Sequence, residues 1–187
     1  MTDQLNHQLF KMAAPGCGVI AFRDAAHPGA LEVILSQRAE SVGAGLGITG
    51  GGFVECGDIN NKEVGFISLS ADEAYRECME ENPGFENIIS LDDFRTRAQL
   101  VASFCVKAAD VNGVHACTYF ALRLTDAEWD KVMALPPSDE RDGDLIAKKV
   151  HYAQGGMRMD GNADFYHPHE TLALHEMLKL NGKNRLF

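Results

Sequence analysis

Segments with the composition of β-strands recur along this chain in pairs separated by turn formers. The runs 16–23 (GCGVIAFR) and 30–38 (ALEVILSQR) are rich in apolar and β-branched residues, and they flank the turn-forming segment DAAHPG. The runs 99–108 and 114–124 have a similar composition, and the dipeptide Asn-Gly at 112–113 is a strong hairpin signal. We therefore expect each pair of runs to form neighbouring strands.

A helix is predicted between these two pairs of strands. Ser70 followed by Glu73 has the form of a capping box, so the helix should begin there. It should run to about Asn82, because the Pro-Gly pair that follows stops a helix. The residues before it, 59–70, are polar at one end and apolar at the other, and we interpret them as a loop.

The remaining segments continue the alternation of strands and helices. The stretch that begins at position 43 is too glycine-rich for regular structure at its start, but residues 51–55 (GGFVE) indicate a strand. Further on lie a short helix opened by a capping box at Thr125, a strand at 145–153 and a closing helix at 167–183. This order predicts an α/β fold in which helices cover both faces of a mixed sheet.

Length and composition predict one domain. A chain of 187 residues, of which 45% are hydrophobic and 24% charged, can bury a core of its own. We expect residues 1–12 to be a flexible N-terminus and residues 13–187 to form the domain. The N-terminus lacks a basic start and a long apolar run, and no segment has the roughly 20 apolar residues that span a bilayer, so we expect no membrane association.

The charge and the cysteines exclude some classes of partner and location. The formal net charge of -10 argues against a protein that binds nucleic acid or an anionic membrane, because the overall field repels phosphate. An anionic ligand would need an added positive charge, such as a metal ion. The five cysteines occur singly, without a CxxC pair, which indicates reduced thiols in a cytoplasmic protein.

The predicted central helix carries an unusual concentration of acid. Glu77, Glu80 and Glu81 are spaced by three and four positions, so they project from one side of the helix. Arg76 lies four residues before Glu80 and can pair with it, which leaves the other two glutamates without a cation close in sequence. Convergent carboxylates are typical ligands of Mg²⁺. The alternative is an ordinary solvated helix face.

Glycines upstream of this acidic cluster combine with it to form a known sequence motif. The segments GGFVECGD and RECMEENPG resemble the Nudix box, in which a glycine, five residues and a glutamate precede Arg-Glu, two residues, Glu-Glu and a further glycine. The residues that match the pattern or stand at its positions are Gly51, Gly52, Asp58, Arg76, Glu77, Glu80, Glu81 and Gly84. Agreement in this order identifies the chain as similar to the Nudix hydrolases. The resemblance implies their α/β/α sandwich, with a mixed sheet between helices.

The chain departs from the pattern at several points. Aspartate replaces glutamate at position 58, and seventeen residues rather than seven separate it from Arg76, which indicates a ten-residue insertion within 59–70. Asn82 and Pro83 stand where the family has one residue before the last glycine. The Trp and Pro that often precede the paired glycines are absent. None of these changes alters the spacing of the three glutamates, so we expect the metal site to survive.

What the resemblance implies is hydrolysis of a nucleoside diphosphate linked to another moiety, such as ADP-ribose, a dinucleotide or a nucleotide sugar. Mg²⁺, or Mn²⁺ in its place, would be the cofactor. The implied metal ligands are the three glutamates and the Gly51 carbonyl, with Arg76 orienting Glu80. The general base is either a box glutamate or Glu140 in the later loop SDERDGD, although that loop could equally be a solvated turn. Gly51, Gly52 and Arg38 are the substrate-binding candidates, with a structural salt bridge as the alternative for Arg38, and a homodimer is the implied assembly.

Two other functions stay open at this point. One is hydrolysis of a nucleoside triphosphate, and the other is a Nudix-fold nucleotide-binding or regulatory module without turnover. Several residues outside the motif also have two readings. His167, His169 and the pair His115 with Cys117 could bind a metal or simply cap and pack, whereas Phe104, Tyr119 and Trp129 could stack on a base or belong to the core.

Overall fold

The computed structural model describes residues 11–12, 15–38, 45–54, 66–107, 113–136, 143–153, 156–161, 165, 168–183 and 186. Within these ranges nine strands form one sheet, and four α-helices and one 3₁₀ helix pack on it. The strands are β1 Lys11–Met12, β2 Gly16–Asp24, β3 Leu31–Arg38, β4 Gly45–Gly47, β5 Gly50–Phe53, β6 Gln99–Lys107, β7 Gly113–Arg123, β8 Leu145–Ala153 and β9 Gly156–Met159. The α-helices are α1 Phe66–Glu81, α2 Leu91–Arg97, α3 Asp126–Met133 and α4 Pro168–Gly182, and the 3₁₀ helix is Phe85–Asn87.

Strand β2 lies at the centre of the mixed sheet. It pairs in parallel with β7 along its length, and its second half pairs antiparallel with β3. Its first half pairs antiparallel with β5, where Gly18 lies opposite Gly51. The main path of the sheet runs β1-β7-β2-β3-β8-β9, with β6 added to β7 and β4 added to β3. The glycine strand β5 is therefore held directly against the central strand.

Alternate residues of the central strands enter two separate cores. Ile20 and Phe22 point to one face, where they join a cluster with Leu174 and Met177 of α4. Residues of β2 on the other face join a cluster with α1, α2 and α3, whose members include Val19, Ala21, Ala74, Phe94 and Trp129. Both faces of the sheet are thus buried, as a strand without polar alternation requires. The predicted mixed sheet between helices is confirmed.

The strand predictions are confirmed, but one glycine segment was misjudged. The runs predicted at 16–23, 30–38, 99–108, 114–124 and 145–153 are all strands, and the two predicted pairs are formed. The expectation of no regular structure before position 51 is wrong, because Gly45–Gly47 pairs with the end of β3. A Cβ at Gly47 would lie 2.6 Å from the Ser36 hydroxyl, so this close pairing depends on glycine.

The central helix begins earlier than predicted. Helix α1 starts at Phe66, and Ser70 lies inside it with no exposed surface, so Ser70 does not open the helix. Part of the predicted loop 59–70 is therefore helical, and only its residues 59–65 lie outside the described ranges. The predicted end is correct, because α1 stops at Glu81 and Gly84 adopts a left-handed conformation with φ of 97°.

Of the other helices, α3 begins at its predicted capping box, whereas α2 was not predicted. Thr125 and Glu128 form the predicted capping box of α3. Helix α2 was not predicted, although Ser90 caps it by accepting a hydrogen bond from the Asp93 amide at 3.1 Å. The short strand β9 was also missed. The capping pattern Ser-x-x-Asp at Ser90 is the signal that could have located α2.

Four of the five cysteines are described, and no disulfide joins any of them. Cys17, Cys78 and Cys117 are buried, whereas Cys105 is exposed. The prediction of free thiols therefore holds for these four, although Cys105 is not a core residue. Among the helices that are described, none is long and apolar enough to cross a membrane.

Candidate functional site

Helix α1 packs so closely on the glycine strand β5 that side chains on the strand would obstruct it. A Cβ built at Gly50 would lie 2.6 Å from the Cys78 sulfur and 2.9 Å from its Cα. A Cβ at Gly52 would collide with the carboxylate of Glu77. The alternate glycines of β5 therefore create the space that the carboxylate-bearing face of α1 occupies. This contact brings together the two halves of the sequence motif.

Arg76 binds three carboxylates of the same helix. Its Nε donates to Glu73 at 3.0 Å, and its two terminal nitrogens donate to Glu77 and Glu80 at 2.5 Å each. The predicted pairing with Glu80 is present. The expectation that Glu77 lacks a cation close in sequence is wrong, because the adjacent guanidinium reaches it. Glu73 was not among the candidate residues, although its position three residues before Arg76 allows the pair.

The position of Glu77 is electrostatically costly. Its side chain is only 15% exposed. Burial raises the pKa of Glu77 and repulsion from Glu80 adds to the increase, although Arg76 opposes both effects. Burial, together with the charge of Glu77, also raises the pKa of Cys17 to about 12. The negative potential at this contact therefore favours an added cation and keeps the neighbouring thiol protonated.

Arg76 is a positive charge of the protein that partly offsets this negative potential. Burial disfavours its charged form, but hydrogen bonds to Glu80 and Glu73 raise its pKa overall. The side chain of Arg76 is 29% exposed, so solvent screens the group only partly. The guanidinium is therefore fully charged and holds the glutamates in fixed orientations.

The donor chemistry of α1 suits a hard divalent ion, but its carboxylates are not gathered into a cage. In the part of the chain that is described, no group of three or more His, Cys, Asp or Glu side chains is arranged to hold a metal. Arg76 accounts for this, because it draws Glu77 and Glu80 onto its own nitrogens. Glutamate oxygens are nevertheless the ligands that Mg²⁺ prefers. Three of these carboxylates would have to converge before they could share an ion, and in the structure Glu77 and Glu80 are instead held by Arg76.

The other motif residues are only partly described. Gly51 and Gly52 lie in β5, opposite Gly18 and Cys17 of the central strand. Arg38 is the last residue of β3, and its backbone pairs with Gly45, but its side chain lies outside the described part. Asp58 and Glu140 also fall outside the described residues. The structure therefore brings together the glycines and the helical half of the motif.

The aromatic candidates favour the core interpretation. Trp129 and Tyr119 are buried, with 4% and 3% of their surface exposed. The guanidinium of Arg23 lies 4.5 Å from the centroid of the Trp129 ring, which covers that ring from solvent. Phe104 packs beside Tyr119, at 6.3 Å between centroids. Trp129 and Tyr119 are therefore core residues, whereas Phe104 is only partly buried against the core.

The histidine candidates are less completely described. The His169 ring lies beside the Tyr119 ring, with 6.1 Å between the ring centroids, which agrees with packing. Cys117 is buried in the core. The side chain of His115 and the whole of His167 lie outside the described residues.

Known structures share the fold of this chain. A MutT/Nudix family protein from Enterococcus faecalis matches 99% of this chain and 68% of its own length, with a TM-score of 0.56 and 14% identity. A Nudix hydrolase from Alicyclobacillus acidocaldarius matches 74% of this chain and 79% of its own length, with a TM-score of 0.50 and 13% identity. Comparison with models of protein families found no match, and neither did comparison with curated proteins. The chain therefore has the Nudix fold, as the sequence motif implied.

Proposed function

We propose that this chain belongs to the Nudix family and is a Mg²⁺-dependent hydrolase. Its substrate would be a nucleoside diphosphate linked to another moiety, of the ADP-ribose, dinucleotide or nucleotide-sugar type, and the bond cleaved would be the pyrophosphate. One observation carries the proposal. Within a Nudix fold, the helix that bears Glu77, Glu80 and Glu81 packs on the glycine strand, with the Glu77 carboxylate against Gly52.

The metal would be held by side chains of α1. Glu77, Glu80 and Glu81 are the proposed carboxylate ligands, and the Gly51 carbonyl is a further one. Mg²⁺, or Mn²⁺, would polarise the phosphoryl oxygens and lower the pKa of a bound water. The raised pKa of Glu77 fits this role, since burial makes an uncompensated carboxylate unfavourable there.

The remaining proposed roles are those of protein residues rather than of the metal. Arg76 fixes the orientation of the glutamates that it binds. Gly51 and Gly52 are the proposed substrate-binding positions on β5, although the Glu77 carboxylate fills the space beside Gly52. Arg38 at the end of β3 would contact a substrate phosphate. Either a motif glutamate or Glu140 would remove the proton from the attacking water.

We further propose that residues 13–187 act as one domain, in the cytoplasm, as a homodimer that binds a small nucleotide. A nucleoside triphosphate is the nearest alternative substrate. A Nudix-fold nucleotide-binding module without turnover is the second candidate function. The pairing of Arg76 with Glu73, Glu77 and Glu80 favours this second candidate, because it occupies carboxylates that a metal would need.

A substrate screen tests the proposal. The protein is incubated with Mg²⁺ and a panel of ADP-ribose, dinucleotides, nucleotide sugars and nucleoside triphosphates, and phosphate-bearing products are measured. Activity should disappear in EDTA and return with excess Mg²⁺. It should fall at least about a hundredfold in Glu81→Gln, as loss of a metal ligand predicts. Glu176→Gln makes the same chemical change on α4 and should leave turnover unchanged. Among the described residues, the ion-pair partners of Glu176 are His175 and Lys179 of its own helix.

The outcomes separate the two candidate functions. Turnover on one class of substrate, lost in Glu81→Gln with circular dichroism unchanged, would support a hydrolase. No turnover on the whole panel, together with micromolar binding of one nucleotide, would contradict it and support the binding module.

A further inference from the structure

A buried amide lies at the end of the carboxylate-bearing helix. Asn82 follows Glu81 directly and has no exposed surface. Its Nδ2 donates to the carbonyl oxygen of Thr49 at 2.9 Å. Its backbone amide donates to Cys78 at 3.0 Å, and its carbonyl accepts from Phe85, also at 3.0 Å. Asn82 thus joins the last turn of α1 to the residue that precedes the glycine strand.

Thr49 is itself fixed to the sheet. It has no exposed surface, and its hydroxyl donates to the Ile34 carbonyl at 2.7 Å and accepts from the Ala21 amide at 2.8 Å. Its own amide donates to the Val19 carbonyl at 3.1 Å. These bonds connect Thr49 to two strands of the sheet centre. A hydrogen bond from Asn82 to Thr49 therefore ties α1 to a rigid part of the molecule.

The hydrogen bond from Asn82 to Thr49 lies at the contact between the helix and the glycine strand. Thr49 and Gly50 are consecutive, as are Glu81 and Asn82, so the bond links the start of β5 to the end of the helix. Close packing of Cys78 on Gly50 sets how near the helix lies to the strand. The directional amide bond adds a fixed point along the strand, because it ties the end of the helix to Thr49. It sets where the α1 carboxylates lie along β5, including Glu77 against Gly52.

We propose that Asn82 is a positioning residue for the metal site, and that it holds the α1 glutamates in register with the Gly51 carbonyl. This inference rests on the proposed metal-dependent function. The family pattern has one residue between the last glutamate and the glycine, whereas this chain has Asn82 and Pro83. Asn82 stands directly after Glu81, where that single residue would be, and its side chain reaches across to Thr49.

Binding of Mn²⁺ alone tests the role without any turnover. Electron paramagnetic resonance measures free Mn²⁺ during titration of the wild type and of Asn82→Ala. Asn82 bonds Thr49 rather than a proposed ligand, so its loss would act through the placement of the helix. We expect a loss of affinity at the lower end of the range seen for outer partners of metal ligands, about tenfold. We expect that loss in Asn82→Ala, and we expect the same in Asn82→Ser, whose hydroxyl is too short to reach Thr49. The serine variant retains a small polar group and serves if the alanine variant does not fold.

Two controls separate positioning from general loss of stability. Ile89→Val shortens a fully buried side chain that lies away from the glutamates, in the apolar cluster that also contains Cys78 of α1. Asn87→Ala removes an exposed amide that contacts only Glu86 in the described residues. Both should bind Mn²⁺ with wild-type affinity, even where Ile89→Val lowers the unfolding midpoint.

The results distinguish this inference from the proposed function. Tight Mn²⁺ binding by the wild type and equally tight binding by a folded Asn82 variant would overturn the positioning role and leave the hydrolase proposal intact. A loss in Ile89→Val as large as that in the Asn82 variants would also overturn it, because it would reflect stability alone. Absence of Mn²⁺ binding by the wild type would overturn both.

Discussion

The ion pair between Arg97 and Glu128 should make the protein sensitive to acid. Arg97 uses two terminal nitrogens to bind both oxygens of Glu128, at 2.7 and 2.8 Å, and it also donates to the Arg123 carbonyl. The pair joins α2 to α3. The Arg97 guanidinium lowers the pKa of Glu128 from 4.5 to about 2. The folded state therefore stabilises the ionised carboxylate relative to the unfolded chain.

The size of the effect follows from that change. A fall in pKa from 4.5 to about 2 corresponds to about 3 kcal/mol of stability at neutral pH. The side chains of Arg97 and Glu128 are 31% and 20% exposed, so solvent screening reduces this to about 2 kcal/mol. Because the folded pKa is the lower one, the stabilisation is complete above pH 4.5. It is lost as the pH falls towards 2, and less than half remains at pH 3.

Glu128→Gln tests this reasoning. Glutamine keeps the residue type that a capping box accepts at this position, so the substitution acts mainly on the ion pair. Urea denaturation followed by circular dichroism should show a loss of about 2 kcal/mol at pH 7, which shrinks below half at pH 3. Glu176→Gln, in an exposed pair, should have almost no effect at either pH. A difference from wild type that stays constant or grows towards pH 3 would refute the assignment.

Three further substitutions have expected outcomes. Gly52→Ala should reduce Mn²⁺ affinity at least about tenfold, measured by paramagnetic resonance, because the added Cβ would displace the Glu77 carboxylate, which is the end of a side chain and not backbone, so that the fold should remain. Gly182→Ala, where a Cβ meets nothing, is its control and should bind Mn²⁺ normally. Gly84→Ala should lower the free energy of unfolding in urea by about 1 kcal/mol, since φ is 97°, and should leave the specific activity unchanged. Arg76→Met should lower the thermal midpoint by several degrees, as a buried Glu77 loses its partner, and an unchanged midpoint in calorimetry would contradict this.

The fold was largely predictable because its strong signals are local. Runs such as 16–23 and 114–124 are long and apolar, and the Thr125 capping box places both of its bonds within four residues. Failures occurred where tertiary contacts decide. Gly45–Gly47 becomes a strand because β3 offers it backbone partners, and α1 extends back to Phe66 past a Ser that resembles a cap. Neither outcome is encoded in the residues concerned alone.

The candidate site was predictable in its members but not in its contacts. Helical spacing placed Glu77, Glu80 and Glu81 on one side of a helix, and that spacing is present in α1. The sequence did not reveal that Arg76 also reaches Glu77, because adjacent residues on a helix do not ordinarily face each other. The pair with Glu73 was open to prediction from its spacing of three residues, but it was not predicted. The sequence also did not reveal the bond from Asn82 to Thr49, which spans 33 positions. Long-range hydrogen bonds of this kind require the assembled sheet.

The pairing of Arg76 with three glutamates has a consequence for the proposed metal dependence of this protein. A chain whose acidic site had no internal counter-ion would draw more of its folding free energy from a bound cation, as small zinc domains do. Here the Arg76 guanidinium already pairs with Glu73, Glu77 and Glu80, so it offsets part of their repulsion without an ion. We therefore expect folding not to require a bound metal. A chelator should abolish the proposed activity and leave the protein folded, and added Mg²⁺ should restore that activity.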